Sequence, residues 1–265
     1  MGQVASWVDG STDSLGPDLE RRFGGLSRLY GQAGYRRIRA ARVAVVGVGG
    51  VGSWAAEALA RSGVGELVLV DLDHVAESNI NRQIQAIDAT LGQAKVLALR
   101  ERIAGIHPAC QVHAVEAFVE PGNWPALLDG RAIDALIDCC DQVRAKQALA
   151  QWALAQRKLA HVCVGAAGGK RHAHRVDLAD LAEVTHDPLL ASLRQRLRKE
   201  GRVPRQGRIG VACVYSREPV ARPDAACATD GSLNCHGYGS VVSVTATFGL
   251  VAAGAVLDRL ATDAT

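Results

Sequence analysis

The sequence predicts an α/β protein built on a doubly wound, mainly parallel sheet with a C-terminal lobe, and three observations lead there. First, the apolar, β-branched run 43–46 ends in Gly47-Val-Gly49-Gly50-Val-Gly52 and opens directly into a helical stretch. Glycine is needed there for a tight strand-to-helix reversal, for backbone approach to a phosphate, and for close helix–strand contact. Second, apolar runs recur at 67–70, 112–119, 135–138 and 160–164. Between them, residues 55–61, 95–106 and 144–156 carry apolar side chains three and four apart, so strand and helix periods alternate as in a parallel sheet. Third, Asp71 closes the second run about 20 residues beyond the glycines, where an acid would meet ribose hydroxyls in a Rossmann-like crevice.

The elements follow in order. In such a sheet the chemistry lies at the strands' carboxyl ends, which points to Gly47, Asp71, Asp141 and Gly165. After Gly168-Gly169 the pattern changes to a basic segment, then a helix entered through Asp187-Pro188 and left at Gly201, then a strand over 209–215. The apolar stretch 241–257 approaches membrane-spanning length. Ser243, Thr245, Thr247, Gly249 and Gly254 within it favour a buried packing helix instead. Residues 1–20, rich in Gly, Ser, Asp and Pro, read as a flexible tail.

Composition narrows the function classes. With 265 residues, 48% of them hydrophobic, the chain buries a core large enough for one α/β domain carrying a lobe. A formal charge of only +3 excludes a generic polyanion binder and requires any nucleic-acid contact to be a local patch. Seven cysteines without a Cys-x-x-Cys pair give neither a disulfide framework nor a zinc clasp, and fit a reducing cytoplasm.

Downstream of Asp71 stand Asp73, then Asn79-Ile-Asn-Arg82-Gln83, then Gly92-Gln-Ala-Lys95 at the head of a helix. Hydride transfer has no need of these groups. Attack on the α-phosphate of ATP does, because charge developing on phosphorus must be met by fixed cations and amides. Arg82 offers a planar clamp and Lys95 a point charge. Asp138-Cys-Cys-Asp141 places a carboxylate, Asp141, where a phosphate-bound magnesium ion would sit. No Gly-Lys-Ser/Thr P-loop is present, which argues against γ-phosphate hydrolysis.

Together these motifs resemble the ubiquitin-activating-enzyme-like adenylyltransferases in order and spacing, from about Arg22 to Asp141. The resemblance implies an ATP site at Gly47, Gly49, Gly50, Gly52, Asp71, Asn79, Arg82, Gln83, Lys95 and Asp141. Arg82, Lys95 and Asp141 would be catalytic, with Asp141 holding Mg2+. It implies a Rossmann-like ATP-binding domain over 21–168 and a substrate and dimerisation lobe over 169–265, packed as one unit. Arg22-Phe-Gly-Gly25, Arg28-Leu-Tyr-Gly31, Ser53-Trp54, Asp187-Pro-Leu189 and Thr245-Ala-Thr-Phe248-Gly249 extend the likeness. They resemble the branch that dehydrates threonylcarbamoyladenosine in tRNA, which adenylates the carboxylate and closes a ring within the modification. That branch implies tRNA as substrate, a cytoplasmic homodimer without stable membrane insertion, no zinc, and room for a structural monovalent cation. Two other readings compete: activation of a ubiquitin-like sulfur carrier, and a nucleotide-holding module in a sulfur-transfer complex with cysteine-desulfurase or sulfur-acceptor proteins.

Many members of the family carry a second arginine at the position of Gly25 and use it as a finger reaching a partner's ATP. Arg22 and Arg28 are the substitutes at hand. Cys235 is a candidate loop thiol. Arg194, Arg196, Arg198, Lys199, Arg202, Arg205 and Arg208 form the local basic run that gripping RNA phosphates would require, with Lys170, Arg171 and Arg175 next in line.

Overall fold

The computed structural model describes residues 16–221 and 238–262. Helices α1 (Leu19–Phe23) and α2 (Leu26–Ala40) lead into β1 (Arg42–Val46), α3 (Gly52–Arg61), β2 (Glu66–Val70), α4 (Lys95–Ile106) and β3 (Gln111–Val115). Then come β4 (Ala135–Asp138), α5 (Val143–Leu154), β5 (Ala160–Val164), β6 (Val176–Asp180), α6 (Pro188–Lys199), β7 (Ala212–Ser216) and α7 (Val242–Ala261). The seven strands form one sheet in the order β3-β2-β1-β4-β5-β7-β6. Every neighbouring pair is parallel except β6 with β7. Strand order reverses between β1 and β4, which opens a crevice at their carboxyl ends.

The central strands are unbroken apolar runs because both faces of the sheet are covered. Val43, Val45, Leu67 and Leu69 pack with residues of α3, α4 and α7 on one side. Ala44, Val46, Val68 and Val70 meet Trp124, Leu128 and residues of α5 on the other. The third strand is shorter than the run 112–119 suggests. β3 pairs only with β2, and β2 ends at Val70, so the ladder closes with Asp71 N donating to the Val115 carbonyl at 3.1 Å.

The chain beyond residue 168 continues the same sheet. β7 pairs with β5, and β6 then adds itself antiparallel at the edge. β6 and α2 both went unforeseen. β7 begins at Ala212 rather than 209, because Ile209 N and Gly210 N donate to the Asp180 carboxylate at 2.9 and 2.7 Å before pairing begins. α6 starts where Asp187-Pro188 places it: Asp187 Oδ1 accepts from Leu190 N at 2.9 Å, and proline takes the first helical position.

The apolar stretch near the C-terminus is a packing helix. α7 buries Val244, Phe248, Gly249, Ala252, Ala253 and Val256, three and four apart, against the sheet and α3. Its contact with α3 is closest at Gly249. A Cβ there would lie 2.4 Å from the Val51 carbonyl oxygen and 2.9 Å from Ala55 N, backbone atoms that cannot swing aside. Gly249→Ala is therefore expected to cost about 1–3 kcal/mol by overpacking. Thermal melts against Gly254→Ala, where nothing lies within 4 Å, check this. Equal melting temperatures for the two variants would contradict it.

Candidate functional site

The glycine turn joins β1 to α3 at the crevice. Gly47 has φ +81°, and a Cβ on it would lie 3.0 Å from the backbone of Cys139 and Cys140. A Cβ on Gly52 would lie 1.8 Å from the Gly47 carbonyl oxygen. These two positions admit only glycine. Gly49 and Gly50 are not crowded in this way: their nearest neighbours are the Gln83 amide at 3.8 Å and the Arg82 stem at 3.3 Å. The exposed side of the turn thus faces two of the residues expected to meet phosphate.

The peptide units of the turn are gripped from below. Asp71, buried at the end of β2, accepts from Val48 N through Oδ2 at 2.8 Å and from Asp73 N through Oδ1 at 2.9 Å. Burial pushes its pKa up, opposed by the charge of Lys95 and by these two N–H groups. Gln85, also buried, donates to the Val48 carbonyl at 2.9 Å, so both ends of that residue are held. Sequence reading overlooked Gln85; its signal was a second glutamine two places after Gln83.

The segment between β2 and α4 carries the polar groups. Asn79 caps its own turn, accepting from Ala76 N at 3.0 Å. Trp54 Nε1 donates to the Arg82 carbonyl at 2.9 Å and ties that residue to α3. Arg82 Nη1 donates to the Ser78 carbonyl and to Asn81 Oδ1 at 2.7 and 2.8 Å. Lys95, the first residue of α4, reaches Asp73 Oδ2 at 2.7 Å; the lysine side chain is 8% exposed and that of the aspartate 52%.

At the end of β4 the two acids part company. Asp138 and Lys146 are both fully buried, with Nζ 3.1 Å from Oδ1 and 3.2 Å from the Asp138 carbonyl. The same carboxylate accepts from Cys140 N at 3.1 Å. Burial alone would lower the Lys146 pKa, but Asp138 and the neighbouring thiols carry it well above the ordinary lysine range. Asp138 therefore shapes the fold, while Asp141 stands exposed before α5. Among the described residues no three His, Cys, Asp or Glu side chains converge on a metal position.

The basic residues along and after α6 differ in what they contact. Arg194 is not free: its Nη1 donates to the Leu181 and Val184 carbonyls at 3.0 and 2.9 Å, fixing the loop before α6. Arg202 lies 3.9 Å from Glu200 and Arg208 3.7 Å from Asp180. Arg196 and Arg198 are half-buried in the last turn, while Lys199 and Arg205 are exposed. Asp180 pairs with Ala212 at the start of β7, so Arg208 sits at the sheet edge opposite the glycine turn. Arg22 Nη1 donates to the Ile106 carbonyl at 2.7 Å, whereas Arg28 is exposed on α2. Cys235 lies outside the described residues.

A mainly parallel sheet whose crevice carries a glycine turn, with Arg82 packed against Gly50 and Lys95 at the head of α4, has the form of a nucleotide-binding α/β protein. The chain belongs to the ThiF family, whose model matches residues 22–264. It is 39% identical over 249 residues to the tRNA threonylcarbamoyladenosine dehydratase of Haemophilus influenzae, covering 92% of this chain and 94% of that protein. It is similar to the crystal structure of the Escherichia coli enzyme of that name, TcdA, in complex with ATP: TM-score 0.83, 40% identity, 92% of this chain and 96% of that one. Likeness to the molybdopterin-synthase adenylyltransferase of Salmonella typhimurium, 39% identical over 116 residues, covers only 44% of this chain and 46% of that protein.

Lys146→Met should destabilise the fold by about 3–5 kcal/mol, because it strands a buried carboxylate. In the native chain a raised lysine pKa gives stability that is fully present below the unfolded value of about 10.4 and is lost only as pH rises through the higher folded value. The native pair should therefore contribute equally at pH 6 and pH 8. The variant should regain stability on acidification, as the stranded carboxylate takes up a proton. Denaturant melts at several pH values test both statements.

Proposed function

We propose that this chain is an ATP-dependent tRNA threonylcarbamoyladenosine dehydratase. The observation that carries the reading is the crevice itself, with glycine turn, Arg82, Lys95 and Asp141 together, in a chain that matches dehydratases of that name over nearly its whole length. In this reading the substrate carboxylate attacks the α-phosphorus of ATP and pyrophosphate leaves. A nitrogen of the same modification then attacks the acyl carbon, AMP departs, and the ring closes with net loss of water. Holding both reactants in one molecule supplies the nucleophile at high effective concentration, so no enzyme nucleophile is required.

The roles follow from placement. The N–H groups at the head of α3 face the phosphates, and Asp71 holds the turn while offering its remaining lone pairs to the ribose. Asn79 and Gln83 line the phosphate side, and Arg82 and Lys95 meet the charge that develops on phosphorus. Mg2+ is part of the proposal. A single exposed carboxylate, Asp141, without further converging ligands, fits an ion carried in by phosphates and water rather than a protein-built cage. Such an ion would neutralise the departing pyrophosphate.

Activation of a sulfur carrier fits less well. The likeness to the molybdopterin-synthase adenylyltransferase covers 44% of this chain, against 92% for the dehydratase. The same proposal has the enzyme work in the cytoplasm as a homodimer. Exposed Val242 and Leu250 on α7 and Leu29 on α2 form apolar surface for a second copy to cover, and Arg28 is the candidate finger toward the partner's nucleotide. Remote parts of the RNA have Arg196, Lys199 and Arg205 within reach. A structural monovalent cation and sulfur-transfer partners rest on the resemblance alone.

Incubation with ATP, magnesium and substrate tRNA should yield nucleosides lighter by one water, together with AMP. Mass spectrometry that finds the starting nucleoside intact would end this reading. Asp141→Ala should leave the melting temperature nearly unchanged and abolish AMP formation; retained turnover would remove Asp141 from its role. Light scattering at micromolar concentration should report about twice the chain mass, and a fully active monomer would refute the dimer.

A further inference from the structure

We propose that the RNA backbone beside the reacting nucleoside is held by Arg171, His174 and Arg175, which line the sheet's carboxyl edge where β7 ends and β6 begins. This rests on the RNA-modifying reading above and assigns it a surface. The topology puts these residues there. β5 delivers the chain to the carboxyl edge at Val164, the segment 165–175 crosses along that edge, and β6 departs from it because Val176 pairs with Ser216, the last residue of β7. The basic segment and the glycine turn therefore share one rim. They are four strand positions apart, from β1 to β6, or roughly 19 Å at about 4.8 Å per strand. A few nucleotides of RNA backbone bridge that span. The end of the α6 run at Arg208 lies at the other rim, a five-residue strand or roughly 17 Å away.

The local structure turns its buried acid away from the exposed side chains of Arg171 and Arg175. Glu218 is the nearest buried acid, and it turns inward: its carboxylate accepts from Arg171 N at 3.0 Å and from His172 N at 2.9 Å. Lys170 is buried below it, donating to the His186 carbonyl at 2.9 Å and to the Glu218 carbonyl. The backbone of 170–172 is thus fixed while the side chains of Arg171, His172, His174 and Arg175 stand exposed. Among the described residues neither Arg171 nor Arg175 has a carboxylate partner. Arg217 N donates to the Arg175 carbonyl at 3.0 Å, and its guanidinium pairs with Asp177. His174, Arg175, Val176, Asp177 and Arg217 enclose an open cleft of about 390 Å³. An open cleft that carries the Arg175 guanidinium at a rigid strand end suits a phosphodiester, and exposed guanidinium groups hold phosphate oxygens bidentately.

The test replaces Arg171 and Arg175 by Gln together and measures tRNA binding at several salt concentrations, with ATP affinity and the melting curve as controls. Loss of two phosphate contacts should reduce the slope of log K against log salt by about two units and weaken binding about ten-fold or more, while ATP affinity is retained. Replacement by Lys at both positions should restore most of the slope, since the charge remains. A Gln variant that binds tRNA with the wild-type affinity and slope overturns the assignment, above all if Arg196→Gln with Arg205→Gln weakens binding instead. A wild-type chain that neither binds nor dehydrates tRNA removes the RNA reading, and this surface falls with it.

Discussion

The structure turns on the approach of three backbones at Gly47. Gly47 N donates to the Val70 carbonyl and Cys139 N to the Val46 carbonyl, each at 2.8 Å, so the end of β1 is stitched to β2 on one side and β4 on the other. The turn that follows has no space for side chains at Gly47 or Gly52. Because those positions are bare, α3 starts hard against the sheet, and its first N–H groups open onto the crevice without a side chain between them. Asp71 and Gln85 then lock the peptides of Val48. These contacts give the turn's backbone the rigidity that the proposed phosphate site requires.

What could be read from the sequence followed from which forces are local. The central strands were legible because burial on both faces removes polar residues from the run, and the glycine turn because its steric demand falls on single positions. β6 escaped notice for the opposite reason: Val-Asp-Leu-Ala-Asp is half-buried edge strand, with Leu178 exposed and its aspartates engaged in caps and ion pairs. α2 escaped because Gly31, at φ +70°, and Gly34 interrupt its pattern. The sequence singles out Asp141 over Asp138 but does not show what Asp138 is for. Only Lys146, arriving a helical turn into α5, decides that one is core and the other faces solvent.

The basic residues show the same limit more sharply. A charge run along a helix gives no hint of which sheet edge it occupies. Arg194 went to carbonyls of the preceding loop, and Arg208 to an acid at the amino edge. The antiparallel direction of β6 was not legible, and with it residues 165–175 run along the rim where β1, β2 and β4 end. By continuing the sheet instead of starting a new one, the C-terminal part of the chain gains a fixed position relative to the crevice. Its segment 170–172 is then held at one end of that rim by Glu218, whose charge serves the backbone.

Electrostatics within the crevice follow from unequal exposure of paired charges. Lys146 and Asp138 are both sealed off, so neither can exchange partners, and the pair is part of the frame. Lys95 and Asp73 differ: the ammonium is nearly buried, while the carboxylate is half in solvent. A buried cation needs its polar partners in place, whereas an exposed carboxylate can return to water at small cost. In the proposed function an arriving phosphate would take the place of Asp73 at Lys95, and the released carboxylate would return to water. In that proposal the aspartate holds the Lys95 side chain in place until then, so little reorganisation would remain for the reaction step.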